Sequence, residues 1–292
     1  MTEPLRMANR LSQQELYQWP IFGVDDQVIE ASDGITITPS HAITQTQDLY
    51  ALIVVSGLMV STQQPESLHK WLRNIDRSAT ILGATSAGPY TLAEAGLLRG
   101  RKCTVHWEQR SGFIERFPTV ELTNNLFEIT DNLWTCSGGT AGLDFMLEVI
   151  RRDQGDTLAK AVAEQSVHPT IRDSQETQQM SPITRYNIHN ARLNAAVALM
   201  EANIETPLSI DQIASQASVS KRHLERLFDQ QIGQRPGRFY TAIRLRHARG
   251  LLRQTALPVS TVAALSGFST SAYFTRRYKH FFGTPPKDDR CD

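Results

Sequence analysis

The chain has 292 residues, 40% of them hydrophobic, with 30 basic and 30 acidic side chains; this is enough for two domains and excludes a disordered or fibrous chain. The net charge of zero hides a division: residues 1–184 hold 14 Lys/Arg against 22 Asp/Glu, a balance of −8, and residues 185–292 hold 16 against 8, a balance of +8. A basic segment tethered to an acidic one fits a nucleic-acid reader joined to a sensor, because neutralising phosphates supplies most sequence-independent affinity.

From the N-terminus, Met1 to Leu11 has helical periodicity, and Gln18 to Val24 and Gly34 to Thr38 are strand-like pieces with Asp25-Asp26 as a turn between them. Leu49-Tyr-Ala-Leu-Ile-Val-Val55 is an apolar, β-branched run of the kind that forms a buried parallel strand. Extended to Val60, and broken by Ser56 and Gly57, it is still far short of the roughly 20 residues of a membrane span. Pro65 to Ser78 predicts a helix with Leu68, Trp71, Leu72 and Ile75 on one face. Thr80 to Ala84 predicts a second buried strand, Gly88 to Leu98 a helix, Lys102 to His106 a strand and Gly112 to Phe117 a short helix. Leu126 to Thr130 and Leu133 to Cys136 predict a strand pair, and Thr140 to Arg152 and Thr157 to Gln165 two helices. This alternation implies a parallel sheet covered by helices on both faces.

The cysteines, Cys103, Cys136 and Cys291, form no Cys-x-x-Cys, and the histidines do not cluster. That argues against a zinc site or a disulfide framework, calls for no metal or other cofactor, and fits a reducing cytosol. No signal-peptide apolar region opens the chain, so a cytoplasmic protein with no membrane partner is expected.

His168 to Ile183 is polar and nearly without apolar anchors, which predicts a linker. The expected division is a sensor domain over 1–167, a linker over 168–186 and a helical domain over 187–292. The last begins with a helix from about His189 to Asn203, placing Leu193, Val197 and Met200 on one face.

Within it one unit is written twice. In the first copy, Ile210 to Ser220 followed by Lys221 to Phe228, Ile213 and Ala217 face inward, Ala214 is small where two helices cross, and Val219 plugs the turn. Leu224, Leu227 and Phe228 close the core, and Ser220 is the N-cap of the second helix. In the second copy, Val259 to Lys279, Ala263 repeats Ala214, Phe268 repeats Val219, and Phe274 repeats Leu224 after a turn one residue longer. Gly267 supplies the turn that Ser218 supplies in the first. Between the copies, Pro236 to Gln254 predicts a helix of about 28 Å at 1.5 Å per residue, close to the roughly 34 Å of one DNA turn.

The doubled unit, its connecting Arg244-Leu-Arg246-His-Ala-Arg249 and its ending Phe282-Gly-Thr-Pro285-Pro286 resemble the AraC/XylS family of bacterial transcription activators, over roughly Asn187 to Pro286. The resemblance implies that both second helices read DNA. Arg222, Glu225 and Arg226 in one, and Ser271, Ala272, Thr275 and Arg276 in the other, are expected at base edges. Lys221, Arg277 and Lys279 are expected at phosphates.

The stretch Ile81 to Tyr90 is a strand entering a sharp turn and a helix, with Ser86 at the tip where a nucleophile elbow holds its nucleophile. It resembles the elbow of the class I glutamine amidotransferase-like superfamily, with Ser86 in the cysteine place and His106 in the histidine place. Serine requires a well-placed general base where a cysteine at a helix N-terminus does not. Three readings stay open at this point: an amidase- or deglycase-like hydrolase using Ser86 and His106, a plain structural turn, and a ligand pocket.

Glu3-Pro-Leu-Arg-Met-Ala-Asn-Arg10, Glu15-Leu-Tyr-Gln-Trp19, Ala93-Glu-Ala-Gly-Leu-Leu98, His106-Trp107-Glu108 and Ser137-Gly-Gly-Thr-Ala141 resemble an AraC subgroup whose amidotransferase-like sensor domain is non-catalytic. That subgroup responds to glycine betaine, carnitine or arginine. The resemblance implies a flavodoxin-like α/β parallel-sheet domain, here short of its first strand because the chain starts only two residues ahead of the first matching segment, followed by an all-α double helix-turn-helix domain. It also implies operator or promoter DNA, a small-molecule effector, RNA polymerase and a second copy of the chain as partners. The effector's carboxylate is expected on the backbone N–H groups at Ser86 and Ala87, beside His106. A cationic end would meet an aromatic face, with Trp107 the first choice and Trp71, Tyr90 and Trp134 the others. A constitutive DNA-binding protein with a vestigial sensor is the third possibility.

Overall fold

The computed structural model describes residues 1–290 apart from 26, 32, 44–47, 58–63 and 79. Asp26, Cys291 and the end of the Leu49 to Val60 run therefore lie outside the described residues. The chain divides into two compact units, residues 1–110 with 117–178 and residues 111–116 with 179–292.

In chain order the first stretch forms α1 (Thr2–Ser12), β1 (Phe22–Gly23), β2 (Ile29–Glu30), β3 (Thr36–Ile37), β4 (His41–Ala42), β5 (Ala51–Ser56), α2 (Glu66–Asp76), β6 (Ile81–Ser86) and α3 (Pro89–Glu94). It continues with β7 (Lys102–Cys103), α4 (Arg110–Arg116), β8 (Glu121–Leu122), β9 (Phe127–Ile129), β10 (Leu133–Cys136), α5 (Ala141–Gln154) and α6 (Asp156–Gln165). The main sheet has the order β5-β6-β10-β9, parallel except for the antiparallel β10–β9 pair. This is the flavodoxin-like arrangement that the alternation of apolar strands and amphipathic helices predicts.

Strand pleating sorts the core. Leu52, Leu82 and Leu133 lie side by side in register and are all buried, so they share one face. On the other face Trp134 and Cys136 pack with Phe145, Met146 and Val149 of α5. A further layer of Ala8, Leu147, Ile150, Ala159 and Val162 joins α1, α5 and α6.

Four elements are shorter than their sequences suggest. The helix expected to reach Leu98 ends at Glu94, because Gly96 takes φ +79° and the chain turns there. Only Lys102–Cys103 of the strand expected to reach His106 pairs, with β8; beyond it the chain bends toward Ser86. The pieces near residues 18–24 and 34–38 reduce to two-residue strands, β1 beside β4 and β2 beside β3.

The helical unit contains α7 (Pro182–Tyr186), α8 (Ala191–Ala202), α9 (Ile210–Gln216), α10 (Lys221–Ile232), α11 (Pro236–Gln254), α12 (Val259–Leu265) and α13 (Ser271–Phe282). Two cores fill it. Leu193, Val197, Met200, Ile213, Leu224 and Phe228 form one with Phe239 and Tyr240, while Leu251, Val262, Phe274 and Tyr278 form the other with Leu245 and Ala248. The 19-residue α11 contributes to both, so it is the spine of the domain.

Candidate nucleic-acid interface and effector site

Each helix-turn-helix is built by local rules. Ser209 and Gln212 form a reciprocal capping box at the start of α9, and the Ser220 and Thr270 hydroxyls accept from His223 N–H and Tyr273 N–H to start α10 and α13. The two turns match in conformation, with Ser218 at φ +57° and Gly267 at φ +72°. They differ in surroundings: a Cβ on Gly267 would stand 2.5 Å from the Ile204 carbonyl oxygen and press on the Pro207 ring. The second turn is therefore packed against the loop that leads into the first motif, and only glycine fits.

Arg244 of α11 secures the same turn. Its Nε donates to the Ser266 carbonyl at 2.9 Å, it donates also to the Gly267 carbonyl, and its guanidinium lies 4.2 Å from the centre of the Phe268 ring. Burial lowers its pKa. In the second core Asp289 accepts from Tyr278 at 2.7 Å and pairs with Arg249 and Arg253, tying the C-terminal turn to α11 and α13.

On the surface of α10, Lys221, Arg222, Glu225 and Arg226 are all exposed, as are Asp229 and Gln230 further along. Lys221 is ion-paired with Asp211 of α9 at 3.0 Å. On α13, Ala272, Arg276 and Lys279 are exposed, and Ser271, Thr275 and Arg277 are half-buried. Sequence reasoning omitted Tyr273: an aromatic at that spacing reads as core, yet it is 41% exposed with the Arg276 guanidinium 5.8 Å from its ring centre.

In the other unit, Ser56 and Ser86 are register partners at the carboxyl ends of β5 and β6, and Cys136 ends β10 beside them. Ligand sites of open α/β sheets lie at such strand ends. Ser86 has φ +58°, a left-handed conformation that costs a non-glycine residue roughly 1–3 kcal/mol. Its neighbours leave it no alternative. A Cβ on Gly88 would meet the Val54 carbonyl oxygen at 2.5 Å, and one on Gly138 would meet the Ser86 Cβ at 2.9 Å, so backbone closes on the turn from both sides.

The Ser86 carbonyl accepts from His106 N–H at 3.1 Å, which brings the histidine beside the elbow. His106 Nδ1 accepts from Glu108 N–H at 3.3 Å and caps the 3-10 turn Trp107–Gln109. Burial holds the imidazole below the ordinary histidine pKa, against the pull of Glu108, and so favours the neutral ring. A neutral ring that accepts at Nδ1 carries its proton on Nε2. It is then a donor there, and no hydrogen bond joins it to the Ser86 hydroxyl among the described residues.

The amides at the elbow are fewer than the sequence suggests. Gly88 N–H donates to the Thr85 carbonyl, residue 89 is proline, and Tyr90 N–H donates to the Ala87 carbonyl, which narrows the cradle to Ala87 N–H. Of the aromatics, Tyr90 is buried with its hydroxyl on the Gln109 carbonyl, Trp134 is buried with its Nε1 on the Thr130 carbonyl, and Trp71 packs on Phe22. Trp107 is 43% exposed, with its ring 5.5 Å from that of His106. Burial pushes the Cys136 thiol up to about 11 and the Cys103 thiol up to about 12, which disfavours the reactive thiolate at both.

Residues 2–152 match the DJ-1/PfpI family and residues 213–291 match a helix-turn-helix domain family. The HTH-type transcriptional regulator GbdR of Pseudomonas aeruginosa is 39% identical over 288 residues, covering 99% of this chain and 78% of GbdR. The chain belongs to the AraC-type transcriptional regulators that carry a DJ-1/PfpI domain. The HTH-type transcriptional regulator CdhR, also of Pseudomonas aeruginosa, is 39% identical over 99% of this chain and 86% of its own. A crystal structure of an AraC family transcriptional regulator from Pseudomonas putida is similar over 56% of this chain and 89% of that one, with 26% identity and a TM-score of 0.53.

This AraC-type chain is thus a DNA-binding transcriptional regulator. No helix among its described residues is long and apolar enough to cross a membrane. The Ser86 turn lies within the part of the chain that matches the DJ-1/PfpI family. The signal in the sequence that marks its second wall is Gly138-Gly139, at φ +87° and +57°, whose closeness to Ser86 only the fold reveals.

Proposed function

We propose that this regulator is a cytoplasmic transcriptional activator whose DJ-1/PfpI domain is a non-catalytic sensor for a small nitrogenous metabolite: a quaternary amine such as glycine betaine or carnitine, or arginine. The observation that carries this reading is the hydrogen bond that Glu108 N–H donates to His106 Nδ1. With Nδ1 engaged as an acceptor, the ring offers an N–H donor at Nε2 in place of a base for Ser86, which suits a bound carboxylate and not acyl transfer. Ala87 N–H and the Ser86 hydroxyl supply further donors, and the exposed face of Trp107 suits the cationic end of such a molecule.

The chain from residue 187 onward takes the DNA. Arg222, Glu225 and Arg226 on α10, with Ser271, Ala272, Thr275 and Arg276 on α13, read base edges; Lys221, Arg277 and Lys279 neutralise phosphate. Lys221 leaves its pairing with Asp211 to do so, an exposed contact of small cost. The regulator acts as a homodimer and engages RNA polymerase at the promoter.

The test is a thermal-shift screen of the full chain against glycine betaine, dimethylglycine, carnitine, choline and arginine, repeated with Trp107→Ala. A ligand that binds only the folded state adds RT ln(1 + [L]/Kd) to its stability, about 2.7 kcal/mol at a hundredfold excess over Kd, and so raises the midpoint. One compound is expected to shift the wild type and not the variant. A screen in which none of the five shifts the wild type overturns the reading.

A further inference from the structure

The stretch 168–178, polar enough in sequence to predict a linker, is bound to the first unit at both of its ends. At one end Asp144 of α5, fully buried, accepts from His168 Nε2 at 2.7 Å, from Arg172 N–H at 2.9 Å, and from the Arg172 guanidinium at 2.9 and 2.6 Å. The same guanidinium donates to the Thr140 hydroxyl at 2.8 Å. Thr140 directly follows Gly138-Gly139, the backbone that closes on Ser86.

At the other end Thr177 forms a bridge with Asn125, and Leu126 N–H donates to the Ser174 carbonyl at 2.8 Å. The two N–H groups of the Gln178 amide are shared among three acceptors, the Thr104 hydroxyl at 2.9 Å, the Val105 carbonyl at 3.0 Å and the Asn125 carbonyl at 2.9 Å. Val105 directly precedes His106. The two ends of this stretch therefore hold the two backbone segments that wall the Ser86 site, one ending in Gly138-Gly139-Thr140 and the other leading into His106-Trp107. Gln178 is the last residue of the first unit, and the chain passes from it into the helical unit.

We propose that residues 168–178 report occupancy of the Ser86 site to the DNA-binding half, with Gln178 as the positioning residue. This rests on the sensor reading above. A ligand shifts a conformational equilibrium only by its differential affinity for the two states. A carboxylate drawn to His106 Nε2 loads the backbone on which Gln178 hangs, and the same ligand against Gly138 loads the segment that Thr140 shares with Arg172. Occupied and empty sites then favour different settings of the peptide segment leaving the domain. By reciprocity, DNA bound beyond Gln178 alters metabolite affinity by the same factor.

The experiment uses the full chain, a duplex that it selects from a random library, and whichever of the five metabolites shifts its melting midpoint. Wild type is expected to change its DNA affinity about five- to 150-fold on adding that metabolite. Gln178→Leu, which keeps the bulk and removes the donors, is expected to bind the same metabolite while its DNA affinity changes less than about twofold, a loss of nearly all the coupling. In the wild type, hydrogen exchange of amides within 174–178 is expected to change when the metabolite binds; this second measurement decides the matter if Gln178→Leu does not fold. A Gln178→Leu chain that responds like the wild type, or exchange at 174–178 that ignores a bound metabolite, overturns the proposal. A wild type that none of the five metabolites shifts overturns the sensor reading itself, which is distinguishable because the variant never enters that result.

Discussion

Ser86 and His106 show how much a functional reading turns on single backbone and side-chain states. Gly138 has to be glycine on two counts, its φ of +87° and the 2.9 Å at which a Cβ would meet Ser86. Gly138→Ala is expected to cost about 1–3 kcal/mol, measured by denaturant unfolding, and to weaken metabolite binding by forcing the elbow open. Unchanged stability would show that this turn has room to spare. The sign of the pH effect at His106 follows from burial. Its folded pKa lies below the ordinary value of 6.5, so as pH falls the unfolded chain takes up the proton first. Stability is present above the unfolded value and is lost as pH drops through the folded one. His106→Gln is expected to flatten the stability profile below about pH 6.5 relative to wild type, read from melting midpoints across that range. An equally steep profile would assign the acid sensitivity to other groups. The elbow was legible in Gly83-Ala-Thr-Ser86 because strand, turn and small residues follow one another in the chain. The tautomer of His106 was not, because it depends on an amide two residues away folding back onto the ring.

At the scale of elements, the helical half was the most legible part of the molecule. Caps, inward positions and turn residues all act within a few residues, so Ser220, Ala214, Val219 and Phe274 take their places by local sequence alone. Gly267 is different: its positive φ was readable from the repeat, and its packing on Ile204 and Pro207 was not. Gly267→Ala combines backbone strain with a clash and is expected to lower stability by about 2–4 kcal/mol. It should also reduce affinity for DNA carrying both half-motifs more than for DNA carrying one, because the clash pries the second turn from the first motif's loop. Equal losses on the two DNAs, measured by fluorescence anisotropy, would mean that the turns do not fix the spacing of the recognition helices. In the α/β half, apart from the helix that Gly96 ends, the elements that came out short, near residues 102–106 and 18–38, are those whose ends are set by where partner strands stop. Their local apolar pattern runs on past that point.

For the whole molecule, the opposite charges of residues 1–184 and 185–292 confine the phosphate attraction to one half of the chain. DNA affinity is expected to fall with salt, and Lys279→Ala to lower the log–log slope by about 0.9 while leaving sequence preference intact. Arg276→Ala is expected to relax preference at one base pair, a loss of roughly 1–3 kcal/mol in discrimination. Identical salt slopes and preferences for the two variants would overturn the division into phosphate and base contacts. The sequence by itself determined the two-part organisation, the doubled helix-turn-helix and the flavodoxin-like sheet, because periodicity, caps and charge are properties of neighbours along the chain. Only the tertiary structure decided that Trp134, Tyr90 and Trp71 serve packing while Trp107 stays open, that Gly138 closes on Ser86, and that the polar stretch 168–178 is fastened through Asp144 and Gln178. The physical reason is the same in each case. Burial and hydrogen-bond partnership are set by residues tens of positions away, and a side chain's chemistry follows from what surrounds it.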